Sequence, residues 1–283
     1  MCRLFAQVST QPESARDLLV DSEFSLLRQA DGDPANPQKD GWGMAWFGDD
    51  GRPRMTKSCG AASVEREAFA RAAAAAFSTV VVGHLRAASN PTVDREHAHP
   101  FEDQGWVFIH NGTLTISREV AAALGPRANR LRTDSDSEIY FQQFLKHLAA
   151  AQDPSLAFEA CIAENWRLWE FCRGRYPGES TPYTALNAIA SDGRGIHALC
   201  HASRRGLAAD AVFHPGQPWS VMSFATRGRR FVLSSEGEDG GDWTRLAPPE
   251  TISAAPMGSR IDVRRRALTL ESPLGPVPEV ARS

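Results

Sequence analysis

Residues 1–7 read MCRLFAQ, a cysteine at the second position immediately ahead of an apolar run. A thiol packs readily inside a protein, but a chain end is a poor place to pack anything. Two readings of Cys2 compete. In one it is a small apolar residue opening an edge strand. In the other Met1 is removed, as a small second residue favours, and Cys2 carries a thiol and a free α-amine in a single residue.

Outward from this strand, the spacing of apolar residues in QPESARDLLVDSEFSLLRQA predicts a helix over 12–29. DGDPANPQKDGWG (31–43) is turn chemistry, and GMAWFGDDGRPRMTKSC (43–59) reads as two strands about an Asp-Gly turn. SVEREAFARAAAAAF (63–77) reads as a helix capped by Ser63, with Glu65 and Glu67 in its first turn. STVVVGHLRAAS (78–89) and GWVFIHNGTL (105–114) are strands. DSEIYFQQFLKHLAAAQ (136–152), with an acidic cap, and PSLAFEACIAENWRLWEFC (154–172) are helices. YTALNAIASDGRGIHALCHAS (183–203) is a hairpin about Asp192-Gly193, RFVLSSE (230–236) and TISAAP (251–256) are further strands, and GEDGGDW (237–243) is a flexible turn. Strands in runs with a few helices point to a layered α+β fold rather than alternating βαβ units. Residues 1–270 are expected to form a single domain, and 271–283, rich in proline and charge, a frayed tail.

The 283 residues are 42% hydrophobic, enough for a sizeable core, and a net charge of -3 gives no general attraction to nucleic acid or anionic membrane. The basic runs TRGRR (226–230) and RIDVRRRALTL (260–270) are short and interrupted, as on solvated strand faces. The cysteines, Cys2, Cys59, Cys161, Cys172 and Cys200, are odd in number and lack CxxC spacing. With no signal peptide and no long apolar run, these features point to a cytoplasmic protein without a disulfide framework.

Four segments hold polar residues that a purely structural strand or turn does not need. In DGWG (40–43) two glycines flank Trp42, which suits a pocket wall as well as an ordinary turn. In GHLRAASNP (83–91) a buried valine strand runs into Arg86, whose planar fork suits either an internal carboxylate or that of a ligand. HAHPFEDQGWVFIHNG (97–112) contains an H-x-H pair with no third metal ligand at a recognisable spacing, so no metal is assigned. Its Asn111-Gly112 offers a side-chain amide and an unobstructed backbone N–H together, an oxyanion hole or a plain turn. TDSDSE (133–138) holds three carboxylates, more than one helix cap needs, so one of them is free to face an ammonium group.

MC at the start, then DGWG, GHLRAAS, HAHPF, HNG and SDSE, in this order and spacing, resemble the class II glutamine amidotransferase domains of the N-terminal-nucleophile hydrolases. Within them the chain is similar to the stand-alone branch that includes the YafJ proteins and the ergothioneine-pathway γ-glutamyl hydrolases. The resemblance is firm over residues 1–145 and looser through VLSSE and WTRLAPPETI. It implies a four-layer αββα sandwich of two antiparallel sheets flanked by helices. It also implies that Cys2 is the nucleophile, with its own amine as the base. By the same match Arg86 binds the substrate α-carboxylate and Asp136 its α-ammonium, while Asn111 and Gly112 hold the oxyanion. Trp42 and Gly43 line the γ-carbonyl side, Ser89 flanks the carboxylate clamp, and His99 braces the loop before the oxyanion strand. The implied substrate is a small molecule, glutamine or a γ-glutamyl amide, cleaved through a γ-glutamyl thioester without a cofactor.

The chain departs from the family where amidosugar-forming relatives carry a histidine and Asn90 stands instead. Nothing in it resembles their sugar-isomerase domain or a phosphoribosyl-transfer domain. Any ammonia therefore either passes to a separate synthetase or is replaced by another leaving group. The alternatives are a hydrolase of substituted γ-glutamyl amides or thiol compounds, a glutamine-binding module without turnover, and a metal-dependent hydrolase built on His97, His99 and His110. The pattern of bile-salt and penicillin-type N-terminal cysteine hydrolases lacks HNG and SDSE.

Overall fold

In β1 (Arg3–Ser14) successive side chains alternate between two apolar layers: Leu4, Ala6 and Val8 face one, Phe5 the other. β4 (Phe77–Leu85) repeats the pattern, Val80 and Val82 on one side and Val81 and Leu85 on the other. β6 (Trp106–Asn111) does so in the second sheet, with Val107 and Ile109 opposed to Phe108. Each strand is thus buried on both faces, which requires a layer above and below it. This computed structural model describes residues 2–34, 37–88, 94–203 and 211–270.

The remaining strands are β2 (Trp42–Phe47), β3 (Pro53–Ser58), β5 (Phe101–Asp103), β7 (Asn187–Ser191), β8 (Ile196–Cys200), β9 (Ser223–Arg227), β10 (Arg230–Ser234), β11 (Thr244–Arg245), β12 (Glu250–Met257) and β13 (Arg260–Ala267). They form a seven-stranded sheet ordered β11-β9-β10-β1-β4-β2-β3 and a six-stranded sheet ordered β13-β12-β8-β7-β6-β5. The strand pairs within both are antiparallel. The helices are α1 (Leu26–Gln29), α2 (Arg66–Ala75), α3 (Ser117–Ala122), α4 (Asp136–Ala151) and α5 (Pro154–Cys172). One core cluster fills the space between the sheets, a second packs α1 and α2 on the first sheet, and a third packs α3, α4 and α5 on the second. The result is the four-layer αββα sandwich. β1 lies between β4 and β10, so the start of the chain is stitched to a strand more than two hundred residues later.

Several local expectations are corrected. The helix expected over 12–29 is largely absent, because β1 continues to Ser14, pairing Glu13 with Ser78 and Ser14 with Phe77 across a register shift. A single π-helical turn (Asp17–Asp21) and the short α1, capped by the Ser25 hydroxyl, follow it. Pairing with β4 satisfies the backbone of 13–14, while Leu18, Leu19, Leu26 and Leu27 still reach the outer core. Ser63 does not cap α2, which starts at Arg66 with Glu65 at the cap position; the Glu65 carboxylate accepts a hydrogen bond from Trp42 Nε1 at 2.7 Å instead. The cap of α4 is Ser135, not an acid. GEDGGDW is not a free turn, since Glu238 within it is fully buried. α5 spans the predicted 154–172, with Asp153 accepting the Leu156 N–H at 3.0 Å. The basic run at 260–270 lies on edge strand β13, where Arg265 pairs with Glu250 and Arg266 with Glu159. The tail 271–283 lies outside the described residues. Among the described residues no helix is long and apolar enough to cross a membrane.

Candidate active site

Antiparallel register decides what stands beside Cys2. Arg3 of β1 lies opposite Leu85 of β4, so the residue before β1 meets those just after β4. Cys2 Sγ accordingly lies 3.6 Å from the Ala87 carbonyl oxygen and 3.5 Å from its amide nitrogen. Burial pushes the half-buried thiol above its ordinary value, with Asp136 adding to the rise; the Ala87 hydrogen bond, the terminal positive charge and Arg86 oppose it. Cys2, Arg86, Gly112 and Asp136 all line one cleft of about 350 Å³ at the end of the sandwich.

The bend at Asp40 and Gly41, just ahead of β2, shapes the Arg86 wall. Arg86 donates its backbone N–H to Gly41 O at 2.8 Å, and its guanidinium reaches Asp40 O at 3.4 Å. The Asp40 carboxylate accepts the Ala88 N–H at 2.8 Å, fixing the chain beyond Arg86. Asp40 was not singled out from sequence as a site residue; the carboxylate before Gly41 was the available signal. Trp42, expected at the cleft wall, points into the outer layer against Phe69. Gly43 is also off the cleft, but a Cβ there would lie 2.1 Å from His99 O, so only glycine admits that backbone. Ser89 lies outside the described residues.

The opposite wall comes from β6 and the start of α4. A Cβ on Gly112 would lie 2.0 Å from Ala185 O and 2.9 Å from His110 Nε2. Asn111 is buried beside it at the end of β6, behind the cleft surface. The three carboxylates of 133–138 divide their work. Glu138 accepts the Thr133 N–H at 2.7 Å, Asp136 accepts the Leu114 N–H at 2.8 Å, and Asp134 takes the ring of His97 at 2.8 Å. Asp136 thus stands at the cleft, and among the described residues its second oxygen is engaged by the adjacent Ser137 hydroxyl at 3.4 Å.

His97 bridges Asp134 and Asp94, each at 2.8 Å. Burial works against a charged ring, but the bonds to Asp134 and Asp94 outweigh it and raise its pKa. Burial instead favours the neutral ring in His84, His99 and His110. Burial drives His84 down to about 3, against a hydrogen bond with His110 O, and lowers His99 and His110 as well. His84 and His99 stack with centroids 4.0 Å apart. His110 spends its nitrogens on Ser137 Oγ and Ala185 O. Among the described residues no group of three His, Cys, Asp or Glu side chains is placed to hold a metal.

This arrangement sets a thiol, a guanidinium, the Gly112 backbone and a carboxylate around one small space. A sequence profile of the class-II glutamine amidotransferases matches residues 1–215.

The chain belongs to the class-II glutamine amidotransferase family.

Membership makes it an enzyme of the amide-bond hydrolase type. It is 28% identical to the γ-glutamyl-hercynylcysteine sulfoxide hydrolase of Mycolicibacterium smegmatis over 202 residues, 68% of this chain and 76% of that one. It is 30% identical to the glutamine–fructose-6-phosphate aminotransferase (isomerizing) of Chlamydia pneumoniae over 86 residues, 30% of this chain. That match spans only 14% of the aminotransferase's length. Two solved structures show the same fold. A glutamine aminotransferase class-II domain protein from Silicibacter pomeroyi superposes with a TM-score of 0.62 at 19% identity, covering 93% of this chain and 98% of that one. The glutamine phosphoribosylpyrophosphate amidotransferase of B. subtilis superposes with 0.60 at 14% identity, covering 93% of this chain and 49% of the other. The sandwich is the fold these two structures share with the chain.

Proposed function

We propose that this family member is an N-terminal cysteine amidohydrolase that cleaves the γ-amide of glutamine to glutamate and ammonia through a γ-glutamyl thioester. The observation that carries the reading is the convergence of Cys2, Arg86, Gly112 and Asp136, from four separate segments, on one cleft. With its pKa raised, the half-buried thiol ionises poorly at neutral pH, so attack needs a base within reach. Removal of Met1 supplies one: a free α-amine on Cys2 itself, with an ordinary pKa of about 8. The amine takes the thiol proton, directly or through a water, and sulfur attacks the γ-carbonyl. The proton then passes to the departing amine, and water hydrolyses the thioester. Gly112 N–H, at the cleft surface, stabilises the oxyanion and contributes about 3 kcal/mol, while Asn111, buried behind that surface, is given no contact with it. Arg86 takes the α-carboxylate and Asp136 the α-ammonium. Gly43 serves by admitting the His99 backbone; neither Trp42 nor Ser89 is given a contact with substrate. Residues 1–270 act as one domain, since β10 is built in beside β1.

A second reading keeps the same residues and changes the leaving group to a substituted γ-glutamyl amide. The likeness to the γ-glutamyl-hercynylcysteine sulfoxide hydrolase, which spans most of both chains, favours it. Under the first reading ammonia is free to pass to a separate synthetase. Ammonia release from L-glutamine, measured beside amine release from γ-glutamyl anilides, separates the two. Both readings require Cys2→Ala to abolish turnover while the fold persists. Residual activity within a few-fold of wild type in that variant contradicts the mechanism.

A further inference from the structure

The ladder between β1 and β10 ends at the pair Phe5 and Ser234. Between that pair and Cys2 stand only Leu4 and Arg3, and on this side it is the residues just past β10 that hold them. Ser235 donates its N–H to Leu4 O at 2.9 Å and accepts the Leu4 N–H on its hydroxyl at 2.8 Å. Ser234 donates its hydroxyl to the same Leu4 oxygen at 3.0 Å. Glu236 forms an ion pair with Arg3 at 3.5 Å, both side chains almost wholly buried. Its carboxylate is itself fixed by the N–H groups of Val212 at 3.0 Å and Phe213 at 2.9 Å, and by the ring of His214. Glu238 contacts Ser234 Oγ through one oxygen and accepts from Gln29 Nε2 at 3.0 Å on the other. Burial, with the nearby Glu236 charge adding, raises Glu238 well above the ordinary carboxyl range. The Ser234 hydroxyl thus lies between the Leu4 oxygen and the Glu238 carboxyl.

Two carboxyl groups buried within three residues are costly and call for a function. The family profile ends at residue 215, so nothing assigns one to this segment. We propose that Ser234–Glu238 is a positioning element for the nucleophile, clamping Leu4 and Arg3 so that Cys2 projects into the cleft at a fixed place. The inference rests on the proposed role of Cys2. Reaction geometry is unforgiving: a misplacement of about 1 Å costs on the order of 100-fold in rate.

The test compares Ser235→Ala, Arg3→Met and Glu236→Gln with wild type, using L-glutamine and L-γ-glutamyl-p-nitroanilide, below each variant's unfolding transition. Ser235→Ala removes one hydroxyl only and is the variant that keeps the fold should the ion-pair variants fail. The expected result is a kcat lower by about 10- to 100-fold with KM within about threefold, since Arg86 and Asp136 sit on other segments. The Arg3→Met/Glu236→Gln double variant loses no more than the worse single one, as for two residues acting through one contact. A kcat within about threefold of wild type in folded Ser235→Ala and Arg3→Met overturns the inference, as does a loss carried by KM alone. Cys2→Ala, run in parallel, separates the levels. If it is inactive while the clamp variants behave as wild type, the clamp falls and the nucleophile stands; if it retains turnover, both fall.

Discussion

Gly112→Ala offers a sharp perturbation of the cleft because the structure leaves the added methyl nowhere to go. Its Cβ would lie 2.0 Å from Ala185 O and 2.6 Å from Ala185 C, both backbone atoms of the neighbouring segment. Cβ contacts below 3.0 Å essentially do not occur, so either segment must retreat by about 1 Å. That movement withdraws the Gly112 N–H from the oxyanion. Loss of one such donor costs about 10²–10³ in kcat. Overpacking adds roughly 1–3 kcal/mol of destabilisation. Gly105→Ala is the matched control: its φ is also positive, at 80°, yet nothing lies within 4 Å of its added Cβ. Steady-state kinetics and thermal midpoints on both variants give the comparison. Gly112→Ala is expected to lose kcat by about two to three orders of magnitude with little change in KM, and Gly105→Ala to keep its kcat. A Gly112→Ala kcat within about threefold of wild type refutes the oxyanion assignment.

Other outcomes follow from the same geometry. Arg86→Lys, which trades a planar fork for a point charge, raises KM for α-amino-acid substrates by about 10- to 100-fold, and Asp136→Asn does the same by weakening the ammonium partner; initial-rate kinetics read both. The His97 bridge to Asp94 and Asp134 stabilises the charged ring, so its contribution is whole below pH 6.5 and is lost as pH rises through the raised folded value. His97→Gln therefore lowers the thermal midpoint most at about pH 5–6.5, and the gap closes at higher pH, as a midpoint series by differential scanning fluorimetry checks. Glu164, 7% exposed between α4 and α5, is raised by burial but held down to about 2 by His147, Lys146 and Gln143. Glu164→Gln is expected to cost about 3 kcal/mol at neutral pH by urea unfolding, the difference shrinking as pH falls from 4.5 toward 2.

The period-2 burial of β1, β4 and β6 is written in the sequence, because each strand is apolar on both faces and both faces are covered. The α5 helix is equally legible, since Asp153 and Pro154 mark its start unambiguously. The segment 12–29 misled because a helical spacing of leucines serves a strand end, a π-turn and a short helix as well, and only the pairing of Glu13 and Ser14 with β4 decides between them. Cys2, Arg86, Gly112 and Asp136 could be proposed from motifs, but that they meet in one cleft depends on the Arg3–Leu85 register and on the Leu114 N–H reaching Asp136. Trp42 was misjudged because a tryptophan between glycines gives no sign of which face it presents. The Ser234–Glu238 clamp was hidden for a different reason. Ser234–Glu236 read as the end of a strand and Glu238 as part of a flexible turn, and nothing local shows that Arg3, Leu4 and Gln29, far away in the chain, pack against them.

The central claim is that the amino group and the sulfur of one residue do the chemistry together. Intact-mass and peptide mass spectrometry of the purified protein, before and after treatment with a diazo-ketone analogue of glutamine, tests it most directly. The expected result is a chain that begins at Cys2 and takes up a single adduct on that sulfur, with turnover lost in step. A catalytically active chain that still carries Met1, or inactivation with the adduct on another residue, contradicts it.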